Sequence, residues 1–446
     1  MKPKVCKFGG SSVADAARLR QVAEIVGSDA ARRYVVTSAP GKRHAGDDKV
    51  TDLLLLCYEA ARRGVGRAEA MAKIGERYAS IVSELGLELE LAPLLEEVDR
   101  GVAETAERGL GPDYAASRGE AIHGRVVAAL LGWPCVDAAE LVRFDERGRL
   151  DAEATNALLR ERLSSMDHAV IPGFYGADAT GRVWTLSRGG SDVTGSLVAR
   201  AVGASVYENW TDVPGLLVTD PGVVPDAKPI RTVTYRELRE LSYSGARVLH
   251  EDAVFPVREA RIPVLVKSTS EPSAGGTEVL PVGEDDAPPT GHDITGVAGR
   301  NDFTIFTIEK EQMNAEVGFG RRALGVLEDR GISFEHTPSG IDTFSVVVSD
   351  EYFGDAGSRE ALAEALRSAV DADGVEVSRH ISLIATVGRG MIRKPGTAAR
   401  LFGALAGAGV NIRMIDQGSS ELNIIVGVAD EQYAAAIRAI YDEFIR

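Results

Sequence analysis

The chain has 446 residues, 44% hydrophobic and 26% charged, a balance typical of globular proteins in a length too great for one ordinary core, so two or three domains are expected. A formal net charge of −16 argues against nucleic acid or an anionic membrane as the main partner, since either needs a basic face, while a basic pocket for an anionic substrate stays open. Cys6, Cys57 and Cys135 are widely separated, lack metal-type spacing and read as apolar fillers in a reducing compartment. With no leader-like opening and no run of about 18 apolar residues, the expected location is the cytoplasm.

In chain order, Val5 to Phe8 reads as a strand, Gly9-Gly10 as a sharp turn, and residues 13–26 as an amphipathic helix. That order aims Lys7 and several backbone N–H groups at one point beside the positive end of a helix, which suits phosphate. Alone, such a turn means little. It gains weight because Thr185-Leu-Ser-Arg-Gly-Gly-Ser-Asp192 has the same form of strand, glycine turn and helix. Further strands are predicted at 33–37, 167–171, 204–207 and 262–266, alternating with alanine-rich helices, and residues 52–132 are mainly helical. This alternation predicts a mostly parallel sheet covered on both faces over residues 1–282. The acidic, proline-bearing segment 282–290 is the linker candidate.

Beyond it the pattern repeats. Gly318, Gly331-Ile-Ser333 and 344–348 have counterparts at Gly396, Gly409-Val-Asn411 and 422–426, all offset by 78 residues. Each copy reads strand, glycine, helix, glycine, strand, turn, strand, helix. Two copies are too few for a solenoid and make a pair of small α+β modules.

The upstream domain has no Gly-x-x-x-x-Gly-Lys-Ser/Thr loop and no Gly-x-Gly-x-x-Gly, so it is neither a P-loop enzyme nor a dinucleotide fold on motif grounds. No zinc pair or nucleophile elbow appears, no metal site is expected, and His123 and His250 read as helix-packing or surface residues. Lys7, Arg188 and Lys267 offer positive charge to an anionic substrate, and Glu120 and Asp192 offer carboxylates to an ammonium group.

Lys7-Phe-Gly-Gly-Ser-Ser-Val13, Ser117-Arg-Gly-Glu120, Leu186-Ser-Arg-Gly-Gly-Ser-Asp192, Trp210-Thr-Asp-Val-Pro-Gly215 and Ala274-Gly-Gly-Thr277 occur in the order found in aspartate kinases. The doubled module resembles that family's tandem ACT domains, and the likeness covers nearly the whole chain. It implies an amino-acid-kinase (carbamate-kinase-like) α/β fold, a mostly parallel sheet sandwiched by helices, at 1–282. Two α+β ACT (ferredoxin-like) modules are implied at 291–446. The first takes about 291–378 plus a C-terminal return at about 430–446. The second, about 379–429, is inserted into it, and the first module's last strand returns at the C-terminus. The implied reaction is phosphorylation of L-aspartate by ATP with Mg2+ to 4-phospho-L-aspartate, the metal held mainly through the nucleotide phosphates. Feedback by lysine and/or threonine and homo-oligomers through the ACT region are implied too.

That chemistry fits the residue types. The attacking β-carboxylate is already ionised at pH 7, so no general base is needed, and cations plus positioning supply the catalysis. Lys7 matches the family lysine that contacts the transferring phosphoryl group, and Asp192 stands with it as catalytic. Arg188 is the bidentate grip for the α-carboxylate. Thr51, Glu120, Phe174, Gly189, Gly190 and Ser191 match aspartate contacts. On the ATP side stand Lys7, Gly9, Gly10, Ser11, Thr211, Asp212, Lys267 and Ser268, although Lys267 reads almost equally as a surface lysine. Effector candidates are Met313, Phe319, Gly320, Glu335, Ser339 and Asp342 in the first module, and Thr397, Ala398, Asn411, Ile412 and Gln417 in the second. The alternative is that these glycine-bearing segments only permit tight packing or serve a dimer interface. Three positions depart from many relatives: Ser11 replaces threonine, Gly222 replaces an arginine on the nucleotide side, and His250-Glu251 replaces His-Pro. Two rival readings are a kinase of glutamate or N-acetylglutamate, and a non-catalytic amino-acid sensor.

Overall fold

The structure is a computed structural model describing residues 2–186, 189–246, 249, 251–283, 286–289 and 291–446, with Glu251, Asp252 and Ala356 described through their backbone only. It divides into two compact units. The first takes Met1–Leu216, Pro229–Tyr235 and Arg247–Ala287, and the second Leu217–Lys228, Arg236–Ala246 and Pro288–Arg446. No helix among the described residues is long and apolar enough to cross a membrane.

The first unit contains β1 (Lys4–Phe8), β2 (Arg32–Thr37), β3 (Ala169–Pro172), β4 (Tyr175–Ala177), β5 (Val183–Thr185), β6 (Val206–Thr211), β7 (Thr232–Thr234), β8 (Val264–Ser268) and β9 (Thr277–Leu280). One sheet has the order β3-β2-β1-β6-β8-β9-β7, and β4 and β5 form a separate hairpin. All neighbours in the large sheet are parallel except β8 and β9. Strands β1, β2 and β6 are buried along nearly their whole length, as a sheet covered on both faces requires. The helices are α1 (Ala16–Gly27), α2 (Val50–Arg62), α3 (Ala68–Leu85), α4 (Leu91–Glu107), α5 (Asp113–Leu131), α6 (Ala138–Leu141), α7 (Ala152–Ser164), α8 (Gly190–Ala201), α9 (Tyr235–Tyr243) and α10 (Phe255–Glu259). Phe8, Leu19, Val35, Leu54, Tyr78, Ile122 and Trp210 share the core between the sheet and the first helices.

The single helix expected at 13–26 is broken. A 3-10 turn spans Gly10–Val13, and α1 starts afresh at Ala16 because the Asp15 carboxylate accepts the Arg18 N–H at 2.9 Å and caps it.

In the second unit, β10 (Gly296–Glu309), β11 (Thr343–Ser349), β12 (Gly374–Val387), β13 (Met414–Asp416) and β14 (Asn423–Ala429) form an antiparallel sheet of order β11-β10-β12-β14-β13. The helices are α11 (Phe319–Glu328), α12 (Ala356–Val370), α13 (Thr397–Gly407) and α14 (Tyr433–Ile445). Strands β10 and β12 pair along their whole length, with register shifts near Phe303, and serve both modules. The downstream half of β10 builds one core with β11, α11 and α12, centred on Phe306, Phe319, Leu327, Val346 and Leu366. Left-handed glycines open α11 and α13 at Gly318 (φ 83°) and Gly396 (φ 93°), so the 78-residue repeat is realised in the backbone itself.

Two expectations are corrected here. The C-terminal return is the helix α14, not a strand, because its buried residues Ala436, Ile437, Ile440, Tyr441 and Phe444 follow the helical period rather than alternation. α14 is tied to α13 of the second module, Arg400 Nε pairing with Glu443 at 2.7 Å, and Tyr433 of α14 donates its hydroxyl to the Gly299 carbonyl at 3.1 Å, so α14 and the upstream half of β10 both belong with the second module. The nesting therefore runs the other way: the first module is inserted into the second. In addition, the strand after Gly331 shrinks to isolated bridges at His336 and Ser339, because Pro338 between them has no N–H to donate.

The segment Arg236–Ala246 belongs to the second unit through buried charge. Arg389 Nη1 lies 2.5 Å from Glu237 Oε2, and Glu237 Oε1 accepts the Arg389 N–H at 2.9 Å and the Thr295 hydroxyl at 2.6 Å. Glu237→Ala removes this carboxylate from the buried Arg389 guanidinium and is expected to cost about 3–5 kcal/mol in denaturant unfolding of this unit. A loss under about 1 kcal/mol would show that the pair does not hold the segment.

Candidate active site

β1, β6 and β8 run parallel and end side by side, and a turn leaves each of them at the carboxyl edge of the sheet, where ligands gather in open α/β folds. After β1, the Gly9 N–H donates to the Trp210 carbonyl at 3.1 Å and the Ser12 N–H to the Gly9 carbonyl at 2.9 Å. Ser11 stands in this turn, and the Ser12 hydroxyl lies 3.0 Å from that of Thr269 beyond β8. A second loop backs the turn: Gly41 donates its N–H to the Gly10 carbonyl at 2.8 Å, and a Cβ on Gly41 would stand 2.7 Å from the Gly10 carbonyl carbon. Arg77 of α3 fixes that loop through the Gly41 carbonyl at 3.0 Å and Asp47 at 2.5 Å. Hydrogen bonds from Arg43 hold the Asp47 carboxyl well below the usual carboxylate range.

Lys7, only 8% exposed, reaches from β1 to Asp192, with Nζ 2.6 Å from Oδ1. Gly189 has φ 75°, a left-handed turn that a side chain resists, and it swings the chain from β5 into α8 so that Asp192 falls in the first helical turn. Phe174, Gly190 and Ser191 meet here. A Cβ on Gly190 would touch the Phe174 ring at 2.6 Å, and one on Gly173 would touch Ser191 at 2.7 Å. Phe174 has φ 80°, rare for an aromatic residue, and is held by donating its N–H to Thr194 Oγ1 at 3.0 Å. Arg188 lies outside the described residues, as does His250.

Glu120 is buried on α5. Gly119 lets that helix close on the end of β2 and the start of α2, where Thr51 sits in the first turn: a Cβ on Gly119 would lie 2.8 Å from that of Ala39. Burial pushes the Glu120 pKa up to about 8, partly offset by hydrogen bonding to the Ala39 N–H, and its Oε2 has no hydrogen-bond partner among the described residues. His123, one turn further on, is wholly buried, and burial lowers its pKa to about 3, so it packs as a neutral ring beside Tyr78.

Across β6 and β8, Trp210 pairs with Lys267 and Thr211 with Ser268. Lys267 Nζ stands 4.9 Å from the Trp210 ring centroid, and burial lowers its pKa. The Thr211 hydroxyl donates to Asp212 at 3.2 Å, and the Ser268 and Ser270 hydroxyls lie 2.8 Å apart. Behind Trp210 sits an acid that the sequence did not single out: Glu208, 1% exposed, accepts the indole N–H at 3.0 Å and Arg32 Nε at 2.8 Å.

In the second unit the effector candidates fall at the starts of α11 and α13 and along the edges beside them. Met313 and Phe319 are core side chains, and Gly320 lies under the Phe344 ring. Glu335 pairs with Arg300 at 2.8 Å, Asp342 accepts the Gln312 N–H at 2.8 Å, and Ser339 bridges to Phe344. Thr397 and Ala398 open α13, the Asn411 N–H donates to Gln432 at 3.2 Å, and Ile412 and Gln417 flank β13. Both acids of the first module thus already have partners within the unit.

The amino acid kinase family profile matches residues 2–268, and an ACT domain profile matches residues 384–444. Fold and site together define an amino acid kinase carrying ACT-type modules. Over 453 residues the chain is 39% identical to aspartokinase 3 of Bacillus subtilis (strain 168), covering 99% of this chain and 98% of that one. The crystal structure of Clostridium acetobutylicum aspartate kinase superposes with a TM-score of 0.92 at 45% identity, covering 99% of this chain and 100% of the other. Escherichia coli aspartokinase III is similar both in complex with aspartate and ADP (R-state; TM-score 0.74, 29% identity, 99% of each chain) and in complex with lysine and aspartate (T-state; TM-score 0.76, 30% identity, 100% of each chain). The chain belongs to the aspartokinase family: it is an ATP-using phosphotransferase with a carboxyl group as acceptor.

The burial of Glu120 sets a pH dependence. Between its ordinary value, 4.5, and about 8, the folded protein holds a proton that the unfolded chain has released. Stability therefore falls as pH rises through that window, by up to about 1.4 kcal/mol per pH unit. Glu120→Gln is expected to flatten the slope in thermal unfolding between pH 5 and 9, and an unchanged slope would show that Glu120 ionises freely.

Proposed function

We propose that the chain transfers the γ-phosphoryl group of ATP to the β-carboxylate of L-aspartate, releasing ADP and 4-phospho-L-aspartate, under feedback control by lysine, with threonine as second candidate. The observation that carries this reading is the meeting of Lys7 with the first turn of α8 beside the Gly9-Gly10 turn. A nearly buried ammonium there faces backbone donors at the sheet edge, the arrangement that stabilises charge spreading over a transferring phosphoryl group.

Each residue then has a task. The aspartate α-carboxylate takes the Arg188 fork, and its ammonium takes the unpartnered Glu120 Oε2, which loses its proton as the cation arrives. Thr51, Phe174 and Gly189 to Ser191 line the substrate. Gly9, Gly10, Ser11, Thr211, Asp212, Lys267 and Ser268 hold the nucleotide. The nucleophile is ionised from the start, so the protein orients it and excludes water without supplying a base. Mg2+ enters on the nucleotide and neutralises phosphate charge. Asp192 is already engaged by Lys7 and Asn209, and among the described residues no group of three His, Cys, Asp or Glu gathers to hold a metal ion.

Catalysis falls to residues 1–282 and control to 291–446, with 217–228 and 236–246 compacted into the second unit. The lysine-bound and ADP-bound states of the E. coli relative support lysine as effector and two arrangements for it to choose between. Copies of the chain pair through the ACT modules, in the cytoplasm.

The direct test is ADP release with MgATP and L-aspartate, trapping the acyl phosphate with hydroxylamine, with and without lysine and threonine. Turnover with glutamate rather than aspartate, or none in folded protein, would overturn the substrate assignment. Lys7→Ala is expected to lower kcat by orders of magnitude with the fold intact, and near-normal turnover would remove Lys7 from its role. Arg188→Lys loses the fork and is expected to raise the aspartate KM roughly tenfold with a smaller effect on kcat, whereas an unchanged KM would contradict the grip.

A further inference from the structure

The geometry points to Asn209 as a positioning residue for phosphoryl transfer: it fixes the Asp192 carboxylate, and through it the Lys7 ammonium. Asp192 Oδ1 receives two donors, Lys7 Nζ at 2.6 Å and Asn209 Nδ2 at 2.8 Å. Only the amide nitrogen can donate to a carboxylate, so the orientation of the Asn209 side chain is set by the contact. Asn209 is 3% exposed and lies directly across the parallel β1–β6 ladder from Lys7. Two residues earlier on the same face, Tyr207 donates its hydroxyl to the Asp192 main-chain carbonyl at 3.1 Å. Gly195 leaves room for that ring, since a Cβ there would stand 2.6 Å from the tyrosine oxygen. One face of β6 therefore grips Asp192 by both its main chain and its side chain.

A lysine paired with an unrestrained carboxylate would sample several positions, whereas transition-state stabilisation requires the charge in place beforehand. Asn209 supplies that restraint without adding charge. A second carboxylate at this position would compete for the ammonium, and a second cation would repel it.

This inference rests on the role of Lys7 proposed above, and the experiment separates the two. Asn209→Leu keeps the branched shape of the side chain and removes the donor, whereas Asn209→Ser keeps a donor and loses volume. Steady-state kinetics and thermal midpoints are measured for both, beside Lys7→Ala and the Lys7→Ala/Asn209→Leu double variant. The expected result is a kcat about tenfold or more lower in Asn209→Leu, with KM for aspartate and ATP within about twofold. Asn209→Ser keeps the higher kcat of the two even where its midpoint is lower, and the leucine costs nothing further once Lys7 is absent. A kcat for Asn209→Leu within twofold of the parent, or losses that follow the midpoints, would overturn the inference. Near-normal turnover in Lys7→Ala would instead overturn the reading beneath it.

Discussion

The ion pair between Lys7 and Asp192 is the constraint around which the first unit is arranged. An ammonium held at 8% exposure is costly unless a compensating charge lies within hydrogen-bond reach, so strand β1 and helix α8, 185 residues apart in sequence, must converge to place one. Convergence brings two glycine turns to the same edge of the sheet. It also leaves space in which further side chains would collide: Gly10 against Gly41, Gly173 against Ser191, Gly190 against Phe174. The concentration of glycine here is a matter of distance between backbones as much as of flexibility.

Around that pair the polar groups divide by face. On one side of β6, Tyr207 and Asn209 secure Asp192; on the other, Glu208 ties Arg32 to the Trp210 indole, beneath the ring over which Lys267 lies. The two-residue period of a strand thus separates the group around Lys7 and Asp192 from the group around Glu208, Arg32 and Lys267 while keeping both within one short segment. Glu120 stands apart from both networks. Its second oxygen has no hydrogen-bond partner among the described residues.

Much of this was legible in the sequence because it is local. Lys7-Phe-Gly-Gly and Arg188-Gly-Gly-Ser-Asp192 each place their chemistry within a few residues of a turn, and the alternation of strands and helices announces the parallel sheet. Asn209, Arg77, Asp47 and Gly41 were not legible, since each matters only through register or through a loop closing on another turn. The helix at 13–26 was overextended because apolar spacing says nothing of an Asp15 cap. At the C-terminus the helical period of residues 436–444 was present in the sequence, but the resemblance suggested a strand, and the nesting of the two modules was inverted with it. Where local periodicity and family expectation disagreed, periodicity was the better guide.

Neither unit is a contiguous stretch of chain: the backbone passes between them at 216/217, 228/229, 235/236, 246/247 and 287/288. A fragment beginning at Pro288 would therefore omit Leu217–Lys228 and Arg236–Ala246, and with the latter Glu237, the counter-ion of the buried Arg389. A cassette cut at Pro288 would therefore leave the buried Arg389 guanidinium without the Glu237 carboxylate.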